Sequence, residues 1–149
     1  MDKNYLNNLN QIVIAYYKSK CNESLAVASK FCCSEMARYI GHKILNEIPD
    51  TKAYVLKGVI TKDLAHDILL IHQKGEYALL DPAVWQFFDG KETVSVGEGK
   101  SMSSILKLAE KTYGGEWSVS EELDKGISNE ELPKLKTILD EIIKENCRQ

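Results

Sequence analysis

The chain has 149 residues, 44% hydrophobic and 28% charged, with 19 basic against 22 acidic side chains and a formal net charge of −3. That length suits one compact globular domain over residues 1–149, and the composition disfavours a disordered, collagenous or fibrous protein. The charge is spread along the chain and offers no basic face for a phosphate backbone, so no nucleic-acid partner is expected.

No apolar run approaches the roughly 18–20 residues of a membrane span, so no membrane partner is expected either. The start, Met1-Asp2-Lys3-Asn4-Tyr5, lacks the basic-then-apolar layout of a secretory signal. The expectation is a soluble, cytoplasmic protein, or one delivered to another cell by a route that needs no cleaved signal.

Taken in chain order, Tyr5, Leu6, Leu9, Ile12, Val13, Tyr16 and Tyr17 recur at helical spacing and predict a first amphipathic helix up to about Tyr17 or Lys18. A second helix is expected from near Phe31 to Ile48, stopped by Pro49. The period then changes. Ala53 to Ile60, His66 to Gln73 and Glu76 to Asp81 read as strands, with Lys74-Gly75 as the tip of a two-residue hairpin. Val84 to Phe88 and Thr93 to Val96 read as further strands around Asp89-Gly90, giving an antiparallel sheet of four or five. Ser101 to Tyr113 is a helix that stops at Gly114-Gly115. A last amphipathic helix starts at Ser128, which with Glu131 fits a capping box. The class is α+β.

The four cysteines, Cys21, Cys32, Cys33 and Cys147, show no CxxC pair and no disulfide framework, so reduced thiols are the default expectation. Cys21 and Cys147 read as core filler. A metal site built from Cys32, Cys33 and His66 is disfavoured, because adjacent helical residues diverge by about 100°. No metal and no cofactor are expected.

Cys33 differs from the other three. It falls in the first turn of the second helix, on the apolar face with Met36, Ala37, Ile40 and Ile44. Free backbone N–H groups and the positive end of the helix dipole favour a thiolate there. Of the three histidines, His42 sits about half a turn out of phase with Cys33 and is expected to meet water. His66 and His72 share one strand face. A two-residue turn at Lys74-Gly75 pairs Gln73 with Glu76, which makes Asp81 the same-face diagonal neighbour of His66 and leaves His72 beside Tyr77, about 20 Å away.

This yields Cys33 as nucleophile, His66 as general base and acid, and Asp81 as the group that orients the imidazole. The backbone N–H of Cys33 supplies one oxyanion donor, with Asn22, Ser24 and Ser29 as candidates for the second. Trp85, Phe87 and Phe88 read as core, with Trp85 placed to line a cleft beside Asp81.

Cys33-Ser-Glu-Met-Ala on a helix, His66-Asp-Ile-Leu-Leu-Ile on a strand and Tyr77-Ala-Leu-Leu-Asp81-Pro-Ala-Val-Trp-Gln-Phe on the next together resemble the papain-like and transglutaminase-like cysteine enzymes. The string is most similar to their small versions in bacterial effector and toxin domains that deamidate or cross-link protein glutamines. The resemblance covers about residues 29–88. It implies N-terminal helices packed on an antiparallel sheet with C-terminal helices, a Cys33–His66–Asp81 triad, and a protein or peptide substrate. Phe31-Cys32 stands where such enzymes often carry a small polar pair, which keeps Cys32 as the second candidate nucleophile. The glutamine that many papain-like proteases place upstream is missing from Leu25 to Ser29. Deamidation or transamidation of glutamine is the first functional expectation. A cysteine protease and a non-catalytic binding module that keeps the fold are the alternatives.

Overall fold

The structure, a computed structural model, describes residues 1–148. Helix α1 covers Lys3–Lys20, followed by a single turn α2 at Leu25–Ala28 and helix α3 at Cys33–Glu47. Strands β1 (Thr51–Thr61), β2 (Leu64–Gln73) and β3 (Glu76–Leu80) come next, then β4 (Ser95–Gly99), helix α4 (Met102–Tyr113), β5 (Glu116–Glu122) and helix α5 (Ser128–Asn146). The five strands form one open antiparallel sheet in the order β4-β3-β2-β1-β5.

The sheet is apolar on both faces, since period-two alternation sends successive side chains to opposite sides. Ala53, Val55, Leu69 and Ile71 pack against Leu9 and Val13 of α1, Met36, Ile40 and Ile44 of α3, and Leu139 and Ile143 of α5. Leu56, Ile68, Leu70 and Leu79 face the other way, onto Ile105, Ala109 and Tyr113 of α4 and Trp117 of β5. The molecule is thus helices, sheet, helix in three layers.

The hairpin of β2 and β3 sets the register on which the site depends. Lys74 and Gly75 both have positive φ, 50° and 77°, the combination that a tight two-residue hairpin turn demands. Gln73 therefore pairs with Glu76, and the ladder runs to Leu69 opposite Leu80. There it stops, because the N–H of Asp81 turns to the carbonyl of Val94 (2.7 Å), one residue past a register shift between β3 and β4. The first half of β2 has lost its neighbour on that side.

Several expectations need correction. Val84 to Phe88 is not a strand: a carboxylate oxygen of Asp81 captures the N–H of Ala83 (3.0 Å) and the chain closes into a 3-10 turn over Val84–Gln86. The fifth strand is β5 instead, an edge strand in which only Trp117 is buried. The strand expected at Thr93 to Val96 lies a little later, as β4. Ser128 does not cap α5, because its hydroxyl pairs with Nδ1 of His42 at 2.8 Å. His42 accordingly does not meet water. The face of α3 opposite the sheet is covered by α5, so His42 is buried, and burial lowers its pKa.

Cys21 and Cys147 are not reduced filler. They form a disulfide, Cα to Cα 5.6 Å, that joins the end of α1 to the end of α5. No spacing rule could expose a pair this far apart in sequence. Among the described residues no helix is long and apolar enough to cross a membrane.

Candidate active site

Cys33 is the first residue of α3, with Cys32 at the N-cap position and no side-chain cap. The first backbone N–H groups of the helix therefore have no intrahelical acceptor and point out of its end beside the thiol. The two neighbouring cysteines sit in opposite environments. Cys32 is 0% exposed, its thiol donates to the carbonyl of Ala28 (3.7 Å), and its pKa is pushed up to about 12 by burial and then by the charges of Glu35 and Cys33. Cys33 is a free thiol with partial access to solvent. Of the two candidates, Cys33 is the one placed to react.

His66 alternates with Ile68 and Leu70, which puts it on the α4 face of the sheet, whereas α3 lies on the opposite face. On the N-terminal side of Leu69, β2 keeps β1 as a neighbour but has no β3 beside it, and Cys33 comes within interaction distance of the imidazole there. Nε2–H of His66 donates to Oδ2 of Asp81 at 2.7 Å. Nδ1 is buried and finds no acceptor or donor in good geometry among the described residues. The Cys33 thiol nevertheless interacts with the same ring closely enough to affect its protonation. Burial pushes the imidazole pKa down, but the hydrogen bond to Asp81 and the nearby Cys33 thiol, helped by the charges of both, outweigh it and raise the value to about 9.

Asp81 is held on every side. Oδ1 accepts from the N–H of Ala83 (3.0 Å), and Oδ2 accepts from His66 and from the hydroxyl of Tyr113 at 2.6 Å. Burial, followed by the neighbouring Asp81 charge and hydrogen bond, raises the Tyr113 pKa, so this hydroxyl stays a donor. Behind the corner, the hydroxyl of Tyr17 donates to the carbonyl of Pro82 at 2.9 Å and its ring meets Trp85 edge-on.

Aromatic rings enclose the imidazole. Phe87, Tyr113 and Trp117 have centroids 4.5, 5.4 and 6.4 Å from that of His66. Trp117 takes its place because Gly58, which pairs with both His66 and Trp117, has no side chain; a Cβ on Gly58 would overlap the indole. The result is an imidazole that is 1% exposed beside a more accessible thiol.

The sequence-predicted trio is thus brought together. Trp85 is buried, its indole N–H bonded to the carbonyl of Lys91 (2.8 Å), and is chiefly a core residue. His72 stacks on Tyr77 with centroids 4.0 Å apart, away from the trio. Of the proposed oxyanion donors, Ser24 caps α2 by accepting from Val27, and Ser29 is buried with its hydroxyl unpartnered among the described residues. Tyr113, Phe87 and Trp117 were not anticipated as parts of the site. Gly114-Gly115 marked Tyr113 only as a helix end, and nothing local ties a Trp at 117 to a glycine at 58.

Among the described residues no group of three or more His, Cys, Asp or Glu side chains is arranged to hold a metal ion. No protein-family model, curated protein or solved structure matches the chain.

Proposed function

We propose that the protein is a thiol-dependent amide hydrolase or acyltransferase that deamidates or transamidates glutamine side chains of a protein or peptide substrate. The observation that carries this reading is the buried His66–Asp81 pair set against an accessible thiol at a helix start. The resemblance of residues 29–88 to the papain-like and transglutaminase-like cysteine enzymes points the same way.

In this reading the Cys33 thiolate adds to the carboxamide carbon, and the negative charge moves to oxygen, where the Cys33 backbone N–H stabilises it. His66, protonated by the thiol, gives that proton to the departing nitrogen. Ammonia leaves and a thioester remains. Water then enters, deprotonated by His66, and hydrolysis yields a carboxylate and the free thiol; an amine in place of water yields a substituted amide. Asp81 keeps Nε2 as the bonded nitrogen, so Nδ1 does the proton transfer.

Enclosure of the base favours a slim side chain over a main-chain amide. A protease must lay extended chain on both sides of the scissile bond, whereas here Phe87, Tyr113 and Trp117 wall off the imidazole. The test is incubation of a blocked glutamine peptide, acetyl-Gly-Gln-Gly-amide, with wild type and Cys33→Ala, reading ammonia and intact mass. Cys33-dependent ammonia with a gain of about 1 Da supports deamidation. A cut peptide identifies the protease alternative. An unchanged peptide together with an inert Cys33 favours the non-catalytic binding module.

A further inference from the structure

The loop that delivers the nucleophile is tied down from a distance. Asn146, the last residue of α5, donates from its side-chain amide to the carbonyls of Ala28 (3.0 Å) and Lys30 (2.6 Å). The Ala28 carbonyl also accepts the Cys32 thiol, and the carbonyl between them, that of Ser29, accepts from the Cys32 N–H and from Gln86. Phe31, two residues before Cys33, has φ 61° and is 77% exposed. A non-glycine residue persists in that conformation only where its surroundings hold it, and a solvent-exposed ring does little of the holding. The ties at the carbonyls of residues 28–30 do it.

Asn146 is in turn fixed by its neighbour in the chain. Cys147 is bonded to Cys21, and the chain from Cys21 leads through α2 directly into the same loop. The disulfide therefore anchors both the donor side and the acceptor side of the clasp. Helix ends otherwise fray within their last turn.

We propose that Asn146 is a positioning residue for Cys33 and that the Cys21–Cys147 disulfide locks it, so that reduction of that bond weakens the reactivity of Cys33. This rests on the reading of Cys33 as the nucleophile. The switch step is a two-electron reduction: a dithiol attacks the Cys21–Cys147 bond, two protein thiols form, and the reagent leaves as a cyclic disulfide. The α5 terminus is then free to unwind, Asn146 withdraws from Ala28 and Lys30, and the thiol loses its fixed position against His66.

The test is the rate of iodoacetamide modification of Cys33, mapped by peptide mass, across about pH 5 to 9. The proteins are wild type, Asn146→Ala, Asn146→Asp, which keeps the shape without the donor, and Cys21→Ser/Cys147→Ser. The expected result is a wild-type rate that persists on the acid side and falls by about ten- to hundredfold there in all three variants, the size of effect that a misplacement near 1 Å produces. A simple loss of stability would not reshape the pH profile. Should the double serine variant fail to fold, Asn146→Ala decides, since it keeps the disulfide. A wild-type acid-side rate that Asn146→Ala leaves within about twofold overturns the proposal and spares the nucleophile. A wild-type profile already that of an ordinary thiol overturns both.

Discussion

His66 Nε2 and Asp81 Oδ2 lie 2.7 Å apart, with both side chains shielded from solvent, at the point where β3 leaves the sheet. The carboxylate holds Nε2 and leaves Nδ1 as the ring nitrogen without a partner among the described residues. Asp81→Asn keeps the shape, removes the charge and lets the ring choose the other tautomer. Turnover should fall by about 10²- to 10⁴-fold, and the imidazole should titrate below the value of about 9 that it has in the native protein. Steady-state ammonia release and an NMR titration of His66 measure the two effects separately.

The same pair makes stability depend on pH. The native imidazole pKa lies above its ordinary value of 6.5, near 9, so the folded state binds the proton more tightly than the unfolded chain. Its stabilisation is fully present below about pH 6.5 and is lost as pH rises through about 9. Urea midpoints should therefore fall over that window, and fall less in Asp81→Asn. In the proposed mechanism activity should have an alkaline limb near 9 as well, because the imidazolium proposed to protonate the leaving nitrogen disappears there.

Tyr113→Phe removes one of two donors to Oδ2 of Asp81 while keeping the ring against His66. A buried hydrogen bond to a charged group contributes about 1.5–3 kcal/mol, and denaturation should show a loss of that order. Disrupted ring packing is the expected outcome for Gly58→Ala instead, since the new methyl displaces the Trp117 indole from beside the imidazole. Near-ultraviolet circular dichroism should register the Gly58 change and leave the Tyr113 one small.

Cys32 and Cys33 should behave as different chemical groups although they are adjacent. Cys33→Ala is expected to abolish both amide turnover and alkylation at neutral pH. Cys32→Ala should retain most of both, since the Cys32 thiol is fully buried and its pKa is about 12. Peptide mapping after brief iodoacetamide treatment distinguishes the two; the opposite pattern would move the nucleophile to Cys32.

The disulfide closes a loop of sequence separation 126. In the chain-entropy view a loop of this length gives about 3–5 kcal/mol of stability by restricting the unfolded chain. Cys21→Ser/Cys147→Ser should lower the urea midpoint correspondingly. Wild type should approach the same midpoint when reductant is added, and addition of reductant to the double variant should change nothing.

The part of the site that was legible in the sequence is the part built on local rules. Lys74-Gly75 demanded a two-residue turn, the turn fixed Gln73 opposite Glu76, and counting along both strands set His66 beside Asp81. The helix phase put Cys33 on the apolar face with Met36 and Ile40, whereas the core takes Cys32 and leaves Cys33 partly accessible. What failed depended on tertiary partners. His42 reads as solvent-facing on a helix with one apolar stripe, but α3 is covered on both sides and Ser128 supplies the polar partner. Val84 to Phe88 has strand composition, yet the Asp81 carboxylate bends it into a turn. Tyr113 at the site, Gly58 under Trp117, and Cys21 with Cys147 each join residues far apart in the chain, and single-sequence periodicity carries no information about such pairs.

The most direct test of the account is the alkylation rate of Cys33 in wild type against His66→Ala at about pH 6.5, where an ordinary thiol is mostly protonated and slow. A working thiol–imidazole pair predicts fast modification in wild type and a drop of about tenfold or more when the imidazole is removed. Equal rates in the two proteins would contradict the central claim, because His66 would then have no influence on the sulfur it is proposed to activate.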